Sequence, residues 1–492
     1  MHAMRKILRA TIGVALASVE TVPAQAQVQE TAIVGVTLID GTGAPARPDV
    51  TVHFQDGKII AVRPGDRPLG PAVLRVDARG KFLVPGFVDS NAHLTVYGKP
   101  ERRDTSVKYA ERNEELALEV AQRSLKMGVT TLVDSYGVLP PSIAVRDRIA
   151  SGQVIGARLL VAGNILGWGG PFSLTFSLTK ESDLSLFQER WNDLIAQDMG
   201  EEIMDLTSDE LRTAMRGYLA KGVDVVKYGG TSHFIRPSLI GFSPEQQRAI
   251  VQTAHAKNIA VQTHATSLEG LRLAVEAGLD LIQHPELMAR DLPDALVRQI
   301  VKSGAHCGIR ANYLTGEAWR GHISARQAAQ QRTAALPPAT TSAERWRRFD
   351  AIGEGEEIQR RNAERLIKAG CPVTIATDVF LGDAPEFRRT AKPDTAEPGI
   401  GSILAIEGLV ELGMTPAQAI VAATRNGAAA ARRLASFGTV EKGKAADLVL
   451  LEADPLTDIR NIRRIAAVWA QGRLVPAERL PEAPLFSPRP QP

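Results

Sequence analysis

The chain has 492 residues, which exceeds a single small module and suits a barrel of roughly 250 residues with a second domain. Hydrophobic residues at 44% and charged residues at 23% exclude wholesale disorder and fibrous repeats, and a net charge of only +3 argues against nucleic acid as the main partner. Two cysteines, Cys307 and Cys371, are too few for a disulfide framework or a thiolate zinc site.

The N-terminus has the pattern of an export signal. A basic segment at residues 5–9 precedes an uncharged, mostly apolar run over residues 10–19, and Ala24-Gln25-Ala26 is a small-x-small cleavage pattern. The apolar run is too short to span a bilayer, so we expect residues 1–26 to be a cleaved signal peptide. The mature protein is then periplasmic or secreted, and it is cytoplasmic if the segment is not cleaved. We expect no membrane partner, because no other segment approaches the ~20 apolar residues of a spanning helix.

Both ends of the mature chain are rich in short β-strands. Residues 31–84 contain β-rich runs separated by turn signals, with Asp56-Gly57 at the centre of a hairpin. Residues 438–472 likewise contain short β-rich runs separated by turn signals. We therefore predict one small β-sandwich domain built from residues 27–84 and 436–480.

The middle of the chain, residues 85–435, alternates short apolar strands with amphipathic helices, which predicts a parallel sheet. Helix caps at Thr207, Ser243 and Thr415, and helix-ending glycines such as Gly278, separate these elements. The eight strand candidates cover residues 82–89, 130–134, 158–162, 223–228, 260–264, 279–284, 306–310 and 372–378. Eight strand–helix units predict an α/β fold of the (β/α)8 TIM-barrel type. The rival is a doubly wound open sheet, but no G-x-G-x-x-G follows the first strand.

Polar side chains cluster at the carboxyl ends of the predicted strands, where a barrel has its active site. Taken singly, each has a structural explanation, since a buried histidine is usually only hydrogen-bonded and an aspartate after a strand often caps a helix. Together they form a set of oxygen and nitrogen donors suited to divalent zinc, manganese or cobalt. The set consists of Asn91, His93, Lys227, His264, His284 and Asp378.

The segment Val84-Pro-Gly-Phe-Val-Asp-Ser-Asn-Ala-His93 resembles the first-strand signature of the metal-dependent amidohydrolase superfamily, whose usual form is Pro-Gly-x-x-Asp-x-His-x-His. The resemblance covers essentially the whole mature chain. It continues in family order through Val226-Lys227, Thr263-His264, Gln283-His284, Thr377-Asp378 and Gly443-Lys-Ala-Ala-Asp-Leu-Val449.

The resemblance implies one or two divalent metal ions, with zinc first and cobalt or manganese as alternatives. On this interpretation His93 and Asp378 hold one ion, His264 and His284 hold the other, and Lys227 bridges them as a carbamate. A carbamate offers two anionic oxygens, whereas an ammonium group cannot ligate a metal. Two such ions can activate a shared water and polarise a carbonyl, while Asp378 carries the proton to the leaving nitrogen.

Asn91 departs from the superfamily pattern, which has histidine at this position. An amide oxygen is a weaker ligand than an imidazole, so the metal on that side should bind less tightly. The chain is then a pseudoenzyme, an enzyme with one firmly held metal, or a member of a subgroup in which Asn-x-His is the working form. That form resembles the phenylurea hydrolases and the thiocarbamate (molinate) hydrolase. Asp89-Ser-Asn-Ala-His93, Lys227-Tyr-Gly-Gly230 and Gly408-Leu-Val-Glu-Leu-Gly-Met-Thr-Pro416 carry the resemblance.

Candidate substrate contacts come from the loops after strands three, four and seven. Aromatic residues crowd two predicted insertions, 165–207 and 311–353, although they are only 5% of the chain. They predict an apolar pocket or lid, and the alternative is that these loops pack on their own aromatic residues. His233 is a second candidate catalytic residue, placed to hydrogen-bond a substrate carbonyl. The predicted substrate-binding residues are Trp168, Phe172, Tyr228, Arg310 and Trp319.

The predicted function is metal-dependent hydrolysis of an amide, carbamate or urea bond in an apolar or aryl small molecule. The sequence leaves open whether the enzyme forms a homo-oligomer. The first alternative is a dipeptidase or carboxypeptidase of the same superfamily, in which Arg310 would bind the terminal carboxylate. The second is a catalytically inactive barrel that serves as a binding module. A lactonase or a deaminase is a more distant alternative.

Overall fold

The computed structural model describes residues 30–65, 68–97, 110–177, 183–236, 238–381 and 394–481. The predicted signal peptide lies outside these residues. Within the described ranges, no helix combines the length and the apolar character that crossing a membrane requires.

Strands from both chain ends form one eight-stranded sheet. The N-terminal part supplies β1 (Thr31–Leu38), β2 (Arg47–Gln55), β3 (Lys58–Pro64), β4 (Leu74–Asp77) and β5 (Phe82–Pro85), and the C-terminal part supplies β16 (Leu448–Leu451), β17 (Ile465–Ala470) and β18 (Arg473–Leu474). The order is β18-β17-β16-β5-β1-β2-β3, and the sheet branches at β1, which also pairs with β4. The antiparallel β16–β5 pair joins the two chain ends. Phe54 and Trp469, one from each end, meet edge to face in the core of this sheet.

The middle of the chain forms the barrel from two arcs of parallel strands. One arc has the order β15-β6-β7-β8, and the other has the order β14-β13-β12-β11-β10-β9. The barrel strands are β6 (Phe87–Tyr97), β7 (Val129–Asp134), β8 (Arg158–Val161), β9 (Ile165–Leu166), β10 (Val225–Gly229), β11 (Ala260–His264), β12 (Leu281–Gln283), β13 (His306–Ile309), β14 (Val373–Ile375) and β15 (Val379–Leu381). The third and eighth barrel strands are each split, into β8 with β9 and into β14 with β15. Within each split strand, one half pairs with one arc and the other half pairs with the other arc. The split strands therefore close the barrel. The predicted TIM barrel with a β-domain is confirmed.

The helices surround the barrel. They are α1 (Asn113–Lys126), α2 (Leu139–Ala150), α3 (Leu174–Ser177), α4 (Leu186–Ala196), α5 (Ser208–Ala220), α6 (Pro244–His255), α7 (Leu268–Ala277), α8 (Asp294–Ser303), α9 (Ala311–Leu314), α10 (Gly316–Ala334), α11 (Ser342–Ala351), α12 (Glu354–Lys368), α13 (Ile400–Glu411), α14 (Pro416–Val421) and α15 (Gly427–Ala430). The predicted caps at Thr207, Ser243 and Thr415 all form capping boxes. Gly278 ends α7 with a φ of 84°, a left-handed conformation that glycine adopts without steric cost.

The first barrel strand differs from the predicted strand over residues 82–89. The first four of those residues form β5, which pairs with β1 and β16 in the end sheet. The chain then passes to the barrel at Gly86, where a Cβ atom would collide with the side chain of Thr130. As a result, Asn91 and His93 lie inside β6 and not beyond its end.

The two predicted insertions are largely helical in their described residues. The first contains α3 and α4, and the second contains α9, α10 and α11. The second insertion contacts the loop after β10, because the Arg236 guanidinium lies 4.1 Å from the Trp346 ring centroid and pairs with Asp350. The loops after strands four and seven are therefore joined above the barrel.

A disulfide links Cys307 in β13 to Cys371, which lies just before β14. Both cysteines are buried, and 64 residues separate them. Two cysteines are too few for a framework of several bridges, and this single bridge was not predicted from the sequence. The available signal was that each cysteine stands near the start of one of two consecutive predicted strands, which are neighbours in a barrel.

Candidate active site

A cavity of about 160 Å³ opens at the carboxyl ends of the barrel strands. Five of the six predicted metal ligands line it, namely His93, Lys227, His264, His284 and Asp378. Trp168, His233 and Arg310 line it as well. Two wider grooves of about 690 Å³ lie elsewhere on the molecule and contain none of these residues. The chemistry-bearing residues therefore converge at the mouth of the barrel, as their positions at strand ends predicted.

The first half of the site is centred on Asp378. Its Oδ1 accepts hydrogen bonds from His93 Nε2 and from Asn91 Nδ2, each at 3.1 Å. Asn91 Oδ1 in turn accepts a hydrogen bond of 3.5 Å from Lys227 Nζ. Asp378 occupies the break between β14 and β15 with a φ of 58°, a left-handed conformation that costs an aspartate about 1 kcal/mol. Asn91 is thus the contact that joins the predicted carboxylate ligand to the predicted bridging lysine.

The second half of the site consists of His264, at the end of β11, and His284, directly after β12. His264 Nδ1 and His284 Nε2 lie 3.3 Å apart and share a hydrogen bond. Their other ring nitrogens are buried and have no hydrogen-bond partner among the residues that the structure describes. Burial lowers the pKa of both imidazoles well below the usual value, with further contributions from nearby positive charge. Both rings are therefore neutral, which is the form that binds a metal.

Lys227 lies between the two halves on β10 and is completely buried apart from 1% of its surface. Burial lowers the pKa of its amine to about 8, although the negative charges of Asp378 and Asp134 oppose this shift. A substantial fraction of the amine is therefore neutral at mildly alkaline pH. The neutral amine is the form that can react with carbon dioxide.

The protonation of Asp378 is set by competing effects. Burial alone would raise the pKa of its carboxyl group, but the hydrogen bond from His93 and the positive charge of Arg310 hold that pKa well below its usual value. Asp378 is therefore an anion at neutral pH. It can act as a ligand or accept a proton.

These donors fit a pair of divalent metal ions. Among the described residues, no three His, Cys, Asp or Glu side chains already converge as one metal cluster. They form two pairs instead, one on each side of Lys227, which is no donor until it is carboxylated. Two neutral histidines with unpartnered buried nitrogens and one ionised aspartate are chemically suited to zinc, cobalt or manganese. Divalent metals are also what the amidohydrolase family generally uses.

Asp89 supports the site and was not among the predicted site residues. It is fully buried, and its carboxylate accepts hydrogen bonds from Thr377 Oγ1 at 2.6 Å and from Ser402 Oγ at 2.8 Å. It therefore ties β6 to the residue before Asp378 and to α13. The signal was present, because Asp89 is the aspartate of the Pro-Gly-x-x-Asp segment.

An aromatic wall forms one side of the cavity. Trp168 donates a hydrogen bond of 3.0 Å to the Thr231 carbonyl, and its ring centroid lies 4.8 Å from that of His264. Phe176 stacks on His233 with ring centroids 4.3 Å apart, and His233 Nδ1 donates to the Phe176 carbonyl at 3.2 Å. Phe176 lies in the predicted insertion but was not chosen as a substrate contact. The wall supports the predicted apolar pocket, and its members also pack on one another.

Three predicted substrate-binding residues do not line the cavity. Tyr228 follows Lys227 in a strand, so strand alternation points it away from the barrel interior, and its hydroxyl bonds to Gln247. Phe172 is buried behind the aromatic wall. Trp319 lies on α10, where its ring stacks on His322. The structure therefore does not bring these three side chains to the described cavity, and their substrate contacts stay predictions.

Arg310 does reach the mouth of the barrel, but other side chains already surround its guanidinium group. Its Nη1 lies 3.5 Å from Asp378 Oδ2, and its Nε lies 3.5 Å from Glu286 Oε1. Its Nη2 donates a hydrogen bond of 3.2 Å to Gln359. Glu286 and Gln359 were not predicted as site residues. Glu286 lies two residues after His284, and Gln359 lies on α12, far from Arg310 in the sequence.

Comparison with known proteins adds to this geometry. Residues 82–475 match the amidohydrolase family. The solved structure of molinate hydrolase superposes with a TM-score of 0.81 at 30% identity, covering 95% of this chain and 98% of that one. Phenylurea hydrolase B gives a TM-score of 0.80 at 31% identity, with coverage of 94% and 100%.

Curated relatives are more distant in sequence. Imidazolonepropionase from Symbiobacterium thermophilum is 24% identical over 471 residues, which are 87% of this chain and 90% of the relative. Ochratoxinase from Aspergillus niger is 26% identical over 275 residues, which are 54% of this chain and 49% of the relative. The superfamily resemblance drawn from the sequence motifs is confirmed. The chain belongs to the amidohydrolase family and is a hydrolytic enzyme that acts on carbon–nitrogen bonds of small molecules.

Proposed function

We propose that this enzyme is a metal-dependent hydrolase of an amide, carbamate or urea bond in an uncharged, apolar or aryl small molecule. The observation that carries the proposal is one cavity with two faces. One face presents the His93–Asp378 pair, the His264–His284 pair and Lys227, and the other presents the Trp168–Phe176 wall. The likeness to molinate hydrolase and phenylurea hydrolase B, at 30% and 31% identity over nearly whole chains, supports the same substrate class.

The metal ligands follow from the two halves of the site. His93 and Asp378 would hold one ion, with Asn91 as a weak amide ligand, and His264 and His284 would hold the other. Zinc is the first candidate, and cobalt and manganese are the alternatives. When bound, such ions polarise a carbonyl group and make a water molecule nucleophilic at neutral pH.

Lys227 would bridge the two halves as a carbamate. The lone pair of its neutral Nζ forms a bond to the carbon of carbon dioxide, and the nitrogen then loses a proton to solvent. The product carries one negative charge over two oxygens, so each half of the site gains an anionic oxygen donor. Burial favours this reaction, because it makes the neutral amine accessible near neutral pH.

Asp378 and His233 would carry the catalytic proton and hydrogen-bonding roles. The Asp378 carboxylate takes a proton from the attacking water and delivers it to the leaving nitrogen, while the hydrogen bonds from His93 and Asn91 fix the orientation of Oδ1. His233 lines the cavity and would contact the substrate there. Trp168 and Phe176 would hold the apolar group of the substrate and exclude water.

The size of the cavity bounds the group that can enter. An engineered apolar cavity of about 150 Å³ binds benzene, and this cavity measures about 160 Å³. The inner site therefore has room for one ring or a short alkyl group beside the scissile bond.

A substrate panel with metal control tests the proposal. We expect cleavage of an uncharged anilide, a phenylcarbamate or a phenylurea, with little activity on free dipeptides. Dialysis against a chelator should remove the activity, and zinc, cobalt or manganese should restore it. Efficient dipeptide cleavage with no activity on neutral substrates would contradict the substrate class. Full activity in protein shown to be free of metal would contradict the metal-dependent mechanism.

We also propose that the chain is exported and cleaved after Ala26. The leader-like sequence supports this, and so does the Cys307–Cys371 disulfide, since disulfides persist in oxidising compartments and are rare in the cytosol.

A further inference from the structure

Arg310 stands at the carboxyl end of β13 with only 15% of its side chain exposed. Three different side chains hold its guanidinium group. Nη1 faces Asp378 Oδ2, Nε faces Glu286 Oε1, and Nη2 donates to Gln359 Oε1. The Tyr313 ring lies on one side, with its centroid 5.7 Å from the guanidinium carbon. The orientation of the guanidinium plane is thus set from several directions.

Glu286 is the buried anchor of this arrangement. Its side chain has no exposed surface, and its Oε1 also accepts a hydrogen bond of 3.2 Å from the backbone N–H of Arg310. A buried carboxylate without a cationic partner is costly, so Glu286 and Arg310 require each other. The second contact of Arg310, to Asp378, then lies at a position that the Glu286 pair determines.

The two oxygens of Asp378 are approached from opposite sides. Oδ1 accepts from His93 and Asn91, while Oδ2 faces Arg310. We infer that Arg310, anchored by Glu286, is a positioning residue that fixes the carboxylate plane of Asp378, and that it is no binding site for a substrate carboxylate. The inference rests on the proposed function in one respect, the catalytic role of Asp378.

A consequence for specificity follows from the charges. Two carboxylates, Glu286 and Asp378, already share the single positive charge of Arg310. A substrate carboxylate brought to the same guanidinium would face this negative pair and would have to displace one of its members. The arrangement therefore selects against substrates that carry a carboxylate, such as free dipeptides, and favours substrates without one.

Kinetics of Arg310→Ala, Arg310→Lys and Glu286→Gln test the inference on whichever panel substrate the wild type hydrolyses best. For Arg310→Ala we expect kcat to fall about 10²-fold, the scale of a misplaced catalytic group. KM should change less than about threefold and metal content should be retained, whereas the unfolding temperature should fall because Arg310→Ala leaves Glu286 buried without its cationic partner. Added guanidinium ion should restore part of kcat. Arg310→Lys should lie between this variant and the wild type, because a lysine provides the charge without the planar fork. Glu286→Gln should lower kcat in the same way.

Arg432→Ala is the matched control. Its guanidinium pairs with Asp280 at 2.7 Å, away from the cavity, so its loss removes a similar ion pair without touching the site. We expect its kcat to stay at the wild-type value. If Arg310→Ala does not fold, Arg310→Lys carries the test, and a loss of kcat of tenfold or more with KM retained supports the inference.

Other results would overturn it. An unchanged kcat on neutral substrates, with a raised KM confined to substrates that carry a carboxylate, would make Arg310 a substrate-binding residue. Loss of metal in proportion to activity would make it a structural support of the metal site. Failure of the proposed function gives a different result, because the wild-type enzyme would then hydrolyse none of the neutral substrates while the Arg310 comparison remains possible on another substrate.

Discussion

Burial of basic side chains controls the chemistry at the scale of single residues. Lys227, His264 and His284 would be positively charged or partly charged in water at mildly acidic pH, but burial shifts the pKa of each of them downward. The pKa of Asp378 is also lowered, although burial opposes this, because its neighbours stabilise the carboxylate and so keep Asp378 ionised. The two histidines and Asp378 are thereby held in their metal-binding forms at neutral pH, so few protons have to leave these three side chains when a metal enters.

Removal of the bridging lysine is the most direct test at this scale. Lys227→Ala should abolish activity and lower the metal content, because the two halves of the site lose their shared anionic ligand. A small carboxylate such as acetate or formate should restore part of the activity by occupying the vacated position. Turnover and metal content measured with increasing formate check this. Lys221→Ala is the control and should behave as wild type, because Lys221 is a partly exposed lysine that follows α5, pairs with Asp198 and does not line the cavity. Full activity in Lys227→Ala would end the two-metal interpretation.

Asn91 leads to a prediction about metal affinity. Its amide donates to Asp378 and accepts from Lys227, so it lies where a first-strand ligand would stand. Asn91→His should tighten the more weakly held metal, because imidazole is the stronger ligand, without raising turnover much. Metal content after timed dialysis against a chelator measures the difference. Equal metal loss from both proteins would show that Asn91 only orients its neighbours.

The sequence predicted the placement of a site residue correctly where its position along a strand determines which way its side chain points. The predicted ligands converge because parallel strands bring their carboxyl ends to one mouth. Strand alternation directs Tyr228 away from the side of β10 that carries Lys227, and the prediction of Tyr228 as a substrate contact did not apply this rule. Glu286 and Gln359 could not be predicted, since their importance comes from contacts with Arg310 that no local sequence pattern encodes.

At the scale of elements, the periodic pattern predicted eight strands but not where they break. The interruptions between β8 and β9 and between β14 and β15 depend on pairing with different neighbours in the closed barrel. Asp378 lies in the second interruption, so the irregular backbone coincides with a catalytic position. Sequence periodicity predicts regular strands, but it cannot predict a break that depends on pairing in the folded barrel.

The disulfide between β13 and the start of β14 leads to a stability prediction. It closes a loop of 64 residues, and in the loop-entropy description such a crosslink stabilises the fold by about 4 kcal/mol. The variant with both Cys307→Ala and Cys371→Ala should therefore unfold at a clearly lower urea concentration than the oxidised wild type. Urea unfolding of the wild type with and without a reductant is the internal control, and reduction should reproduce most of the loss. Identical unfolding curves for all three samples would remove the stabilising role of the bridge.

At the scale of the whole molecule, the two chain ends meet in one sheet that leads directly into the barrel. β5 pairs with β16 from the C-terminal part, and only Gly86 separates β5 from β6, which carries Asn91 and His93. The end sheet and the first strand of the active site are thus continuous in the chain. This architecture was predictable because β-rich texture at both ends frames a helix–strand middle, whereas the exact point of passage into the barrel depended on a contact with Thr130.

Export of the chain would affect the whole molecule, because the leader decides whether the chain folds in a compartment where the Cys307–Cys371 disulfide can form. Cleavage after Ala26 would leave Gln27 as the first residue, four positions before β1 begins at Thr31, so processing would not disturb the end sheet. The full chain produced in a Gram-negative host should therefore appear in the periplasmic fraction, begin at Gln27 and show no thiol that reacts under denaturing conditions. The chain without residues 1–26 should stay in the cytosol with both thiols reactive and should unfold more easily until it is oxidised. Fractionation, N-terminal sequencing and thiol titration of both proteins make the comparison. Retention of residues 1–26 together with two reactive thiols would contradict export, because a buried bridge between neighbouring strands should form once the chain folds in an oxidising compartment.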